Sequence, residues 1–266
     1  SQASLVEPWA CIEASYERAD INKFDKVVWV LGGGGPMGQM HILRTIAMKK
    51  KGALPALHTI LVTDLSEERM GSVSERMGPL AEAAGCKLVC KDPRDADFDA
   101  MIKEMSPDGV DYIVGCAQIA AVVNDSRRHL KRYGVLNLFA GLKRGEGDLN
   151  LGDIHYDQHT ITGNSGSRIE DMEKVLRLTE AEELDTNSSA GAVVGMKACN
   201  EGVKAVAEGT ITNKTILYPQ LPDLPLTRIE DLPKIVNFSD AVRSDVENGI
   251  WTKEAEEEML DALLEI

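Results

Sequence analysis

The sequence at residues 27–38 reads VVWVLGGGGPMG. Its first five residues are apolar and mostly β-branched, which favours a buried strand. Four glycines follow, and apolar residues then recur at helical spacing from Met37 to Ala47. A strand, a glycine turn and a helix in this order place a helix N-terminus where a diphosphate can bind.

The turn contains the dinucleotide fingerprint Gly-x-Gly-x-x-Gly at Gly33, Gly35 and Gly38. In this motif the first glycine allows the tight turn and the second lets the diphosphate approach the backbone. The third lets helix and strand pack closely. We therefore predict a diphosphate site formed by Gly33, Gly35, Pro36, Met37 and Gly38. The alternative is a tight strand-to-helix connection that binds nothing, because glycine-rich turns are common.

The fingerprint also needs an acidic residue at the end of a second strand. Residues 59–63 have the pattern of that strand, and Asp64 ends it, 26 residues after Gly38. The usual separation is about 20 residues, and an extended turn at 49–56 can absorb the difference. The Asp64 carboxylate would accept hydrogen bonds from the adenosine ribose and repel a 2′-phosphate, which favours NAD over NADP. Alternatively, Asp64 caps the helix that begins near Ser66.

Strand and helix patterns alternate after residue 24, as in a parallel sheet covered on both faces. The predicted strands are 27–31, 59–63, 87–90, 110–115, 134–139 and 160–163, and the predicted helices between them are 37–51, 67–84, 98–105 and 121–130. Later patterns predict helices at 169–179, 196–208 and 253–264, the last with Thr252 as N-cap, and a strand at 215–219. We predict an α/β fold: a Rossmann-type, doubly wound, parallel six-stranded sheet of order 3-2-1-4-5-6, with a short helical C-terminal tail.

Ligands of such sheets bind beyond the carboxyl ends of the strands. The turns after strands four, five and six are small and contain glycine, which leaves room for a flat cofactor. The predicted nicotinamide-side residues are Cys116, Ala117, Phe139, Ala140, Gly141 and Asn164. Small residues that simply make turns are the alternative.

Composition limits the class of protein. The chain has 266 residues, 43% of them hydrophobic, which is enough for a sizeable core. Its net charge of −14 argues against binding to duplex nucleic acid. No apolar stretch is long enough for a membrane span, and the N-terminus has no signal-peptide pattern. Five cysteines without a Cys-x-x-Cys pair fit reduced thiols, so a cytoplasmic protein is expected.

Four segments together resemble the medium-chain dehydrogenase/reductase superfamily of zinc alcohol and polyol dehydrogenases. Residues 33–38 are similar to its coenzyme turn, and 64–69 to its acid-then-arginine segment. Residues 5–11 resemble the segment that leaves its catalytic domain, and 196–219 its later helix and return strand. The resemblance covers about residues 3–219. His155-Tyr156 and Gly163–Gly166 are similar to the sorbitol and sugar-phosphate reductase branch.

The resemblance implies an NAD(P)-dependent oxidoreductase that transfers hydride between nicotinamide and a small alcohol, polyol or sugar phosphate. Asp64, Leu65 and Arg69 would contact the adenosine end, and Arg69 leaves NADP possible. A homodimer or homotetramer is expected, with no nucleic-acid or membrane partner.

The chain departs from this family in one respect that matters. In this family a GroES-like domain supplies the catalytic zinc ligands. Of the family's metal-site residues, this sequence contains a counterpart to only one, which is Glu7. One carboxylate cannot make a catalytic zinc site, which needs about three protein ligands; a helix-start acid is the alternative for Glu7. Zinc is therefore expected only in a full-length enzyme, and this chain alone is expected to be inactive.

The expected organisation has three parts. Residues 1–23 are a remnant of the catalytic domain with a helix leading into the sheet, 24–219 are the dinucleotide-binding domain, and 220–266 are a proline-rich crossing with the tail. No catalytic residue is assigned. His155 and His159 could relay protons, but exposed loop histidines are the favoured interpretation.

Two other functions fit parts of the sequence. One is a regulatory module that senses a dinucleotide and changes its oligomeric state. The other is an S-adenosylmethionine-dependent methyltransferase-like domain, which shares the combination of glycines and an acid but fits the Pro36-Met37-Gly38 helix start less well.

Overall fold

The computed structural model describes residues 1–264. A six-stranded, all-parallel sheet has the order β3-β2-β1-β4-β5-β6. Its strands are β1 (Val27–Leu31), β2 (Thr59–Thr63), β3 (Lys87–Lys91), β4 (Val110–Gly115), β5 (Leu130–Leu138) and β6 (Thr160–Gly163). The predicted fold class and strand order are thus confirmed.

A second sheet of three strands follows. It contains β7 (Ala190–Gly195), β8 (Lys214–Tyr218) and β9 (Thr227–Arg228), in the order β8-β7-β9. Strand β7 pairs parallel with β8 and antiparallel with β9. Only β8 was predicted, because the small residues of β7 give no clear strand pattern.

Ten α-helices are described in residues 1–264. They are α1 (Val6–Ala19), α2 (Pro36–Lys50), α3 (Glu67–Ala83), α4 (Phe98–Met105), α5 (Ala120–Ser126), α6 (Leu151–Tyr156), α7 (Ile169–Glu180), α8 (Cys199–Glu208), α9 (Asp240–Glu247) and α10 (Lys253–Leu263). Thr252 caps α10 as predicted, since its hydroxyl accepts from the Ala255 N–H at 3.1 Å. None of these helices is long and apolar enough to cross a lipid bilayer.

Local backbone geometry explains where the predicted bounds differ. The helix predicted to reach residue 130 ends at Ser126, and β5 begins at Leu130 instead of Gly134. Tyr133 has a φ of +65°, and the register of β5 against β4 shifts between Val110 and Tyr112. A strand interrupted in this way does not show a regular alternation, so its first half resembled the end of a helix.

The chain forms two compact units. One comprises Pro8–Val175 and includes the large sheet, with a core around Trp29, Leu61 and Ile113. The other joins Ser1–Glu7 to the described chain between residues 176 and 264 and has a smaller apolar cluster around Ala192 and Ile211. These units describe packing, so the domain limits at residues 23 and 219 stay a prediction.

Strands β1 and β2 are buried at every position. Parallel strands with helices on both faces have this pattern, because neither face meets water. The indole N–H of Trp29 in β1 donates to the Thr63 hydroxyl of β2 at 2.9 Å. The carboxyl ends of the central strands are therefore held in fixed positions, and the glycine turn follows directly from β1.

Stability is expected to depend on pH through Asp25, which is buried just before β1. Burial raises the pKa of Asp25 to about 6, although the Asn22 N–H donates to its carboxylate at 2.9 Å. Because the folded state keeps a proton that the unfolded state releases, stability falls as pH rises from about 4 to about 6. Asp25→Asn is expected to raise the thermal midpoint at pH 7.5 and to lose that advantage at pH 4. Differential scanning calorimetry at both pH values checks this, with the exposed Asp148→Asn as control; an equal effect at both pH values would contradict it.

Candidate functional site

The glycine turn is tied to the end of β2. The Gly32 and Gly33 N–H groups both donate to the Thr63 carbonyl, at 2.8 and 3.0 Å. Gly32 has a φ of +81°, and a Cβ there would lie 2.7 Å from the Ala117 nitrogen after β4. The turn therefore closes between the ends of the two strands that flank β1.

The three fingerprint glycines are not equivalent in the folded chain. A Cβ at Gly33 would lie 2.3 Å from Val62 Cγ1, and one at Gly38 would lie 2.6 Å from the Gly32 carbonyl oxygen. Packing of the protein itself therefore requires glycine at both positions. A Cβ at Gly35 would meet nothing closer than 3.9 Å. Packing does not explain Gly35, whereas a ligand that approaches the backbone would.

Helix α2 begins with an open N-terminus at this point. Gly35 is its N-cap residue, Pro36 follows at the first helical position, and no side chain caps the helix. The first amides of a helix have no acceptor within it. The N–H groups of Met37 and Gly38 can therefore donate to an anion, which the positive end of the helix dipole also favours.

Gly34 is a site residue that the fingerprint did not single out. Its N–H donates to Asp64 Oδ2 at 3.0 Å, and a Cβ there would lie 2.7 Å from the same oxygen. The run of four consecutive glycines is the sequence feature from which Gly34 could have been identified. Asp64 thus lies directly beside the turn, as its predicted role requires.

Asp64 does not cap helix α3. Ser66 is the N-cap, and its hydroxyl accepts from the Arg69 N–H at 3.3 Å. The other Asp64 oxygen accepts from the Ser66 N–H at 3.1 Å. Each carboxylate oxygen has a second lone pair, so Asp64 can still accept bonds from two hydroxyl groups. Leu65 is 55% exposed between Asp64 and the helix.

An acidic cleft of about 390 Å³ lies against Asp64. Four carboxylates line it, from Asp64, Glu67, Asp92 and Asp95, together with Lys91. The Arg94 guanidinium lowers the pKa of Asp92 to about 2, so this carboxylate is charged at neutral pH. The ammonium group of Lys91 is already paired at 3.0 Å with Asp95. The negative charge of the cleft therefore disfavours the binding of a further anion, such as a ribose 2′-phosphate.

The turns after β4 and β5 meet beside the glycine turn. The Cys116 N–H donates to the Leu31 carbonyl at 2.8 Å, and the Ala140 N–H to the Gly115 carbonyl at 2.8 Å. Burial raises the pKa of the Cys116 thiol well above its usual range. Cys116 therefore stays a neutral thiol and lacks the thiolate that a nucleophile needs.

A cleft of about 620 Å³ brings most of the predicted nicotinamide-side residues together. Predicted residues that line it are Met37, Phe139, Ala140, Gly141 and Asn164, and residues not predicted are Cys11, Leu138, Leu142, Gly163, Ser165 and Gly166. The cleft thus begins at the start of α2 and extends along the ends of β5 and β6. Cys11 comes from α1, before the sheet, so its position could not be read from local sequence.

Asn164 holds the wall of this cleft in place. Its side-chain nitrogen donates to the carbonyls of Cys11, at 3.1 Å, and Gly166, at 3.0 Å. Its side-chain oxygen accepts from Arg18 Nη1. The side chain therefore fastens the turn after β6 to α1, which was not foreseen from the sequence.

Phe139 packs against His41, a residue that was not predicted from the sequence. The two rings meet edge to face with centroids 4.4 Å apart, and Tyr16 contacts His41 in the same way at 5.1 Å. Burial lowers the pKa of His41 to about 3, so the imidazole is neutral and packs like an aromatic ring.

Three further residues considered from the sequence are not among the residues that line these clefts. Glu7 is exposed in the first turn of α1. Within residues 1–264, no three or more His, Cys, Asp or Glu side chains form a group that could hold a metal ion, so this part of the chain does not fit a zinc centre. His155 is exposed but belongs to α6 and not to a loop. The expectation that His159 is exposed is wrong, because it is buried just before β6.

Comparison with known proteins agrees with this geometry. The sequence model of the family described as "Zinc-binding dehydrogenase" matches residues 46–181. L-galactonate-5-dehydrogenase of Escherichia coli K12 is 28% identical over 176 residues, which are 66% of this chain and 46% of that protein.

Two solved structures show the same fold. The 2R,3R-butanediol dehydrogenase of Bacillus subtilis superposes with a TM-score of 0.64 at 22% identity, over 81% of this chain and 57% of that one. An alcohol dehydrogenase from E. coli CFT073, complexed with NADH, superposes with a TM-score of 0.61 at 11% identity, over 76% of this chain and 54% of that one. The chain thus spans about half the length of the proteins it matches. The family match favours a member of a dehydrogenase family over a regulatory sensor or a methyltransferase.

Proposed function

The chain belongs to the zinc-binding dehydrogenase family, and on that premise we propose that it binds the coenzyme of an NAD(P)-dependent alcohol or polyol dehydrogenase. The observation that carries the proposal is the contrast between Gly35 and the other two fingerprint glycines. Gly35 faces open space at the uncapped start of α2. That is where a dinucleotide fingerprint receives the diphosphate.

Each part of the dinucleotide has residues to hold it in this proposal. The diphosphate receives hydrogen bonds from the amides of Met37 and Gly38. The adenosine ribose donates to Asp64, near Leu65 and Arg69. The nicotinamide lies in the cleft beyond β5 and β6, against Phe139. When bound, the coenzyme supplies a hydride donor or acceptor at its nicotinamide ring.

The packing around the clefts prepares the site for binding. Because the strands are buried and the turns are fastened by backbone hydrogen bonds, little order has to be gained when the coenzyme binds. Phe139, packed on neutral His41, presents an apolar wall to the cleft. This chain therefore orients the hydride carrier.

The substrate class follows from the relatives and is equally a proposal. L-galactonate and 2R,3R-butanediol, named for two of them, both carry secondary alcohols. We propose a small alcohol, polyol or sugar-phosphate substrate for the whole enzyme. We also propose a cytoplasmic homodimer or homotetramer; the five free cysteines fit a reducing compartment.

The preference for NAD tests the role of Asp64. NADH is expected to bind about tenfold or more tightly than NADPH, because the carboxylate accepts from the ribose hydroxyls and repels a phosphate. Asp64→Ala is expected to weaken NADH binding about tenfold or more and to reduce the difference in affinity between NADH and NADPH. Fluorescence titration of both nucleotides measures these values, with Asp99→Ala, an exposed carboxylate outside the cleft, as the control.

Two outcomes would contradict the proposal in different ways. If NADH shows no saturable binding at millimolar concentration, coenzyme binding by this chain is wrong. If NADPH binds clearly better than NADH, only the role assigned to Asp64 is wrong.

A further inference from the structure

A smaller cleft of about 270 Å³ adjoins the one beyond β5 and β6. It is lined by Arg18 of α1 and by residues 163–168, which connect β6 to α7. Four of its residues, 163–166, also line the larger cleft. A molecule bound in the larger cleft can therefore extend one end into the smaller one.

The residues that line the smaller cleft carry two positive charges and no negative one. Arg18 contributes the first guanidinium, but it is balanced by Asp171, whose carboxylate lies 3.2 Å from Arg18 Nη2. The same carboxylate accepts from the Arg168 backbone N–H at 2.7 Å, so Asp171 also fixes the start of α7. Arg18 is thus an anchored wall of the cleft.

Arg168 contributes the second guanidinium, whose surroundings differ from those of the Arg18 guanidinium. It is exposed, and within residues 1–264 its guanidinium makes no ion pair or side-chain hydrogen bond. A guanidinium offers parallel N–H donors that match the oxygens of a carboxylate or a phosphate. The hydroxyl of Ser165, on the rim shared by both clefts, can add a further donor.

We propose that this smaller cleft binds the anionic group, carboxylate or phosphate, of the substrate whose alcohol or ketone lies in the adjoining cleft. The inference rests on the proposed function, because it places the reacting carbon on the nicotinamide side. Arg168 is the specificity-determining residue, and Arg18 holds the opposite wall. Substrates with an anionic end are favoured over uncharged polyols.

Amide chemical shifts of the ¹⁵N-labelled chain test this without a catalytic assay. D-gluconate and D-glucitol 6-phosphate are expected to shift the amides of residues 167–169 to saturation, whereas uncharged D-glucitol leaves these three unchanged. The tighter of the two anions identifies the group as carboxylate or phosphate. Arg168→Ala is expected to weaken anion binding about tenfold or more, and Arg168→Lys less. Arg144→Ala removes an exposed arginine outside both clefts and should change nothing.

NADH titration of the same variants separates this inference from the proposed function. Arg168→Ala should bind NADH as the unsubstituted chain does. The inference is overturned if anions shift only the amides of residues 33–38, if Arg168→Ala binds them unchanged, or if it loses NADH affinity to the same extent. Anion shifts at 167–169 in a chain that fails to bind NADH would instead overturn the proposed function and leave the anion site standing.

Discussion

Alanine at position 35 is expected to weaken NADH binding about a hundredfold or more, with little change in stability. A methyl group at Gly35 would occupy the space through which the diphosphate approaches the start of α2. The displaced diphosphate would lose about two charge-assisted hydrogen bonds, each worth about 1.5–3 kcal/mol. A loss of about 3 kcal/mol corresponds to about a hundredfold in the dissociation constant.

The folded chain itself tolerates that methyl group. Gly35 has a φ of −82° and a ψ of 166°, which alanine adopts without strain. Losing glycine at the N-cap costs up to about 1 kcal/mol, and the less flexible unfolded chain offsets about 0.4–1 kcal/mol. The thermal midpoint should therefore stay within a few degrees of its original value.

A fluorescence titration with NADH, paired with a thermal melt, measures both effects. Gly78→Ala is the matched control, because a Cβ at this position in α3 also meets nothing within 4 Å. It should bind NADH normally. Undiminished NADH binding by Gly35→Ala would show that the turn does not receive the diphosphate.

Gly38→Ala is expected to have the opposite signature, a large loss of stability. Its Cβ would lie 2.6 Å from both the Gly32 carbonyl oxygen and the Gly33 Cα. Both are backbone atoms, so no side-chain rotation relieves the clash, and α2 must move away from the turn. Overpacking of this kind costs about 3 kcal/mol, which lowers the midpoint of a chain of this size by about 6–12 °C.

Circular dichroism melts of the Gly35 and Gly38 variants side by side check the distinction between ligand space and packing. If the midpoint of Gly38→Ala lies within about 2 °C of that of the unsubstituted chain, the loss of stability is about 1 kcal/mol or less. Helix α2 and the glycine turn would then not pack as described. The two glycines would then have no separate roles.

The large sheet could be predicted because its signals are local. The runs that became β1 and β2 are apolar or β-branched at every position, and Ser66 and Thr252 are strong helix caps. Strand β7 was missed because AGAVVG has small side chains and no alternation. The start of β5 was missed because Tyr133 takes a left-handed conformation within the strand, which a side chain of this type rarely adopts.

The candidate site likewise contains some residues that a local sequence signal identifies and others that it does not. The fingerprint glycines and Asp64 were identified because one turn and one strand end carry them. Cys11, Arg18 and His41 could not be identified, since each acts on a strand end far away in the sequence. Such residues become visible only when the topology places α1 and α2 beside β5 and β6.

A crystal structure of this chain with NADH would show whether the glycine turn at the start of α2 receives the diphosphate. We expect the diphosphate to pass over Gly35, with oxygens within hydrogen-bonding distance of the Met37 and Gly38 amides. The adenosine ribose hydroxyls should donate to Asp64. The nicotinamide should lie beside Phe139. A dinucleotide bound elsewhere, or a diphosphate that does not contact the start of α2, would contradict it.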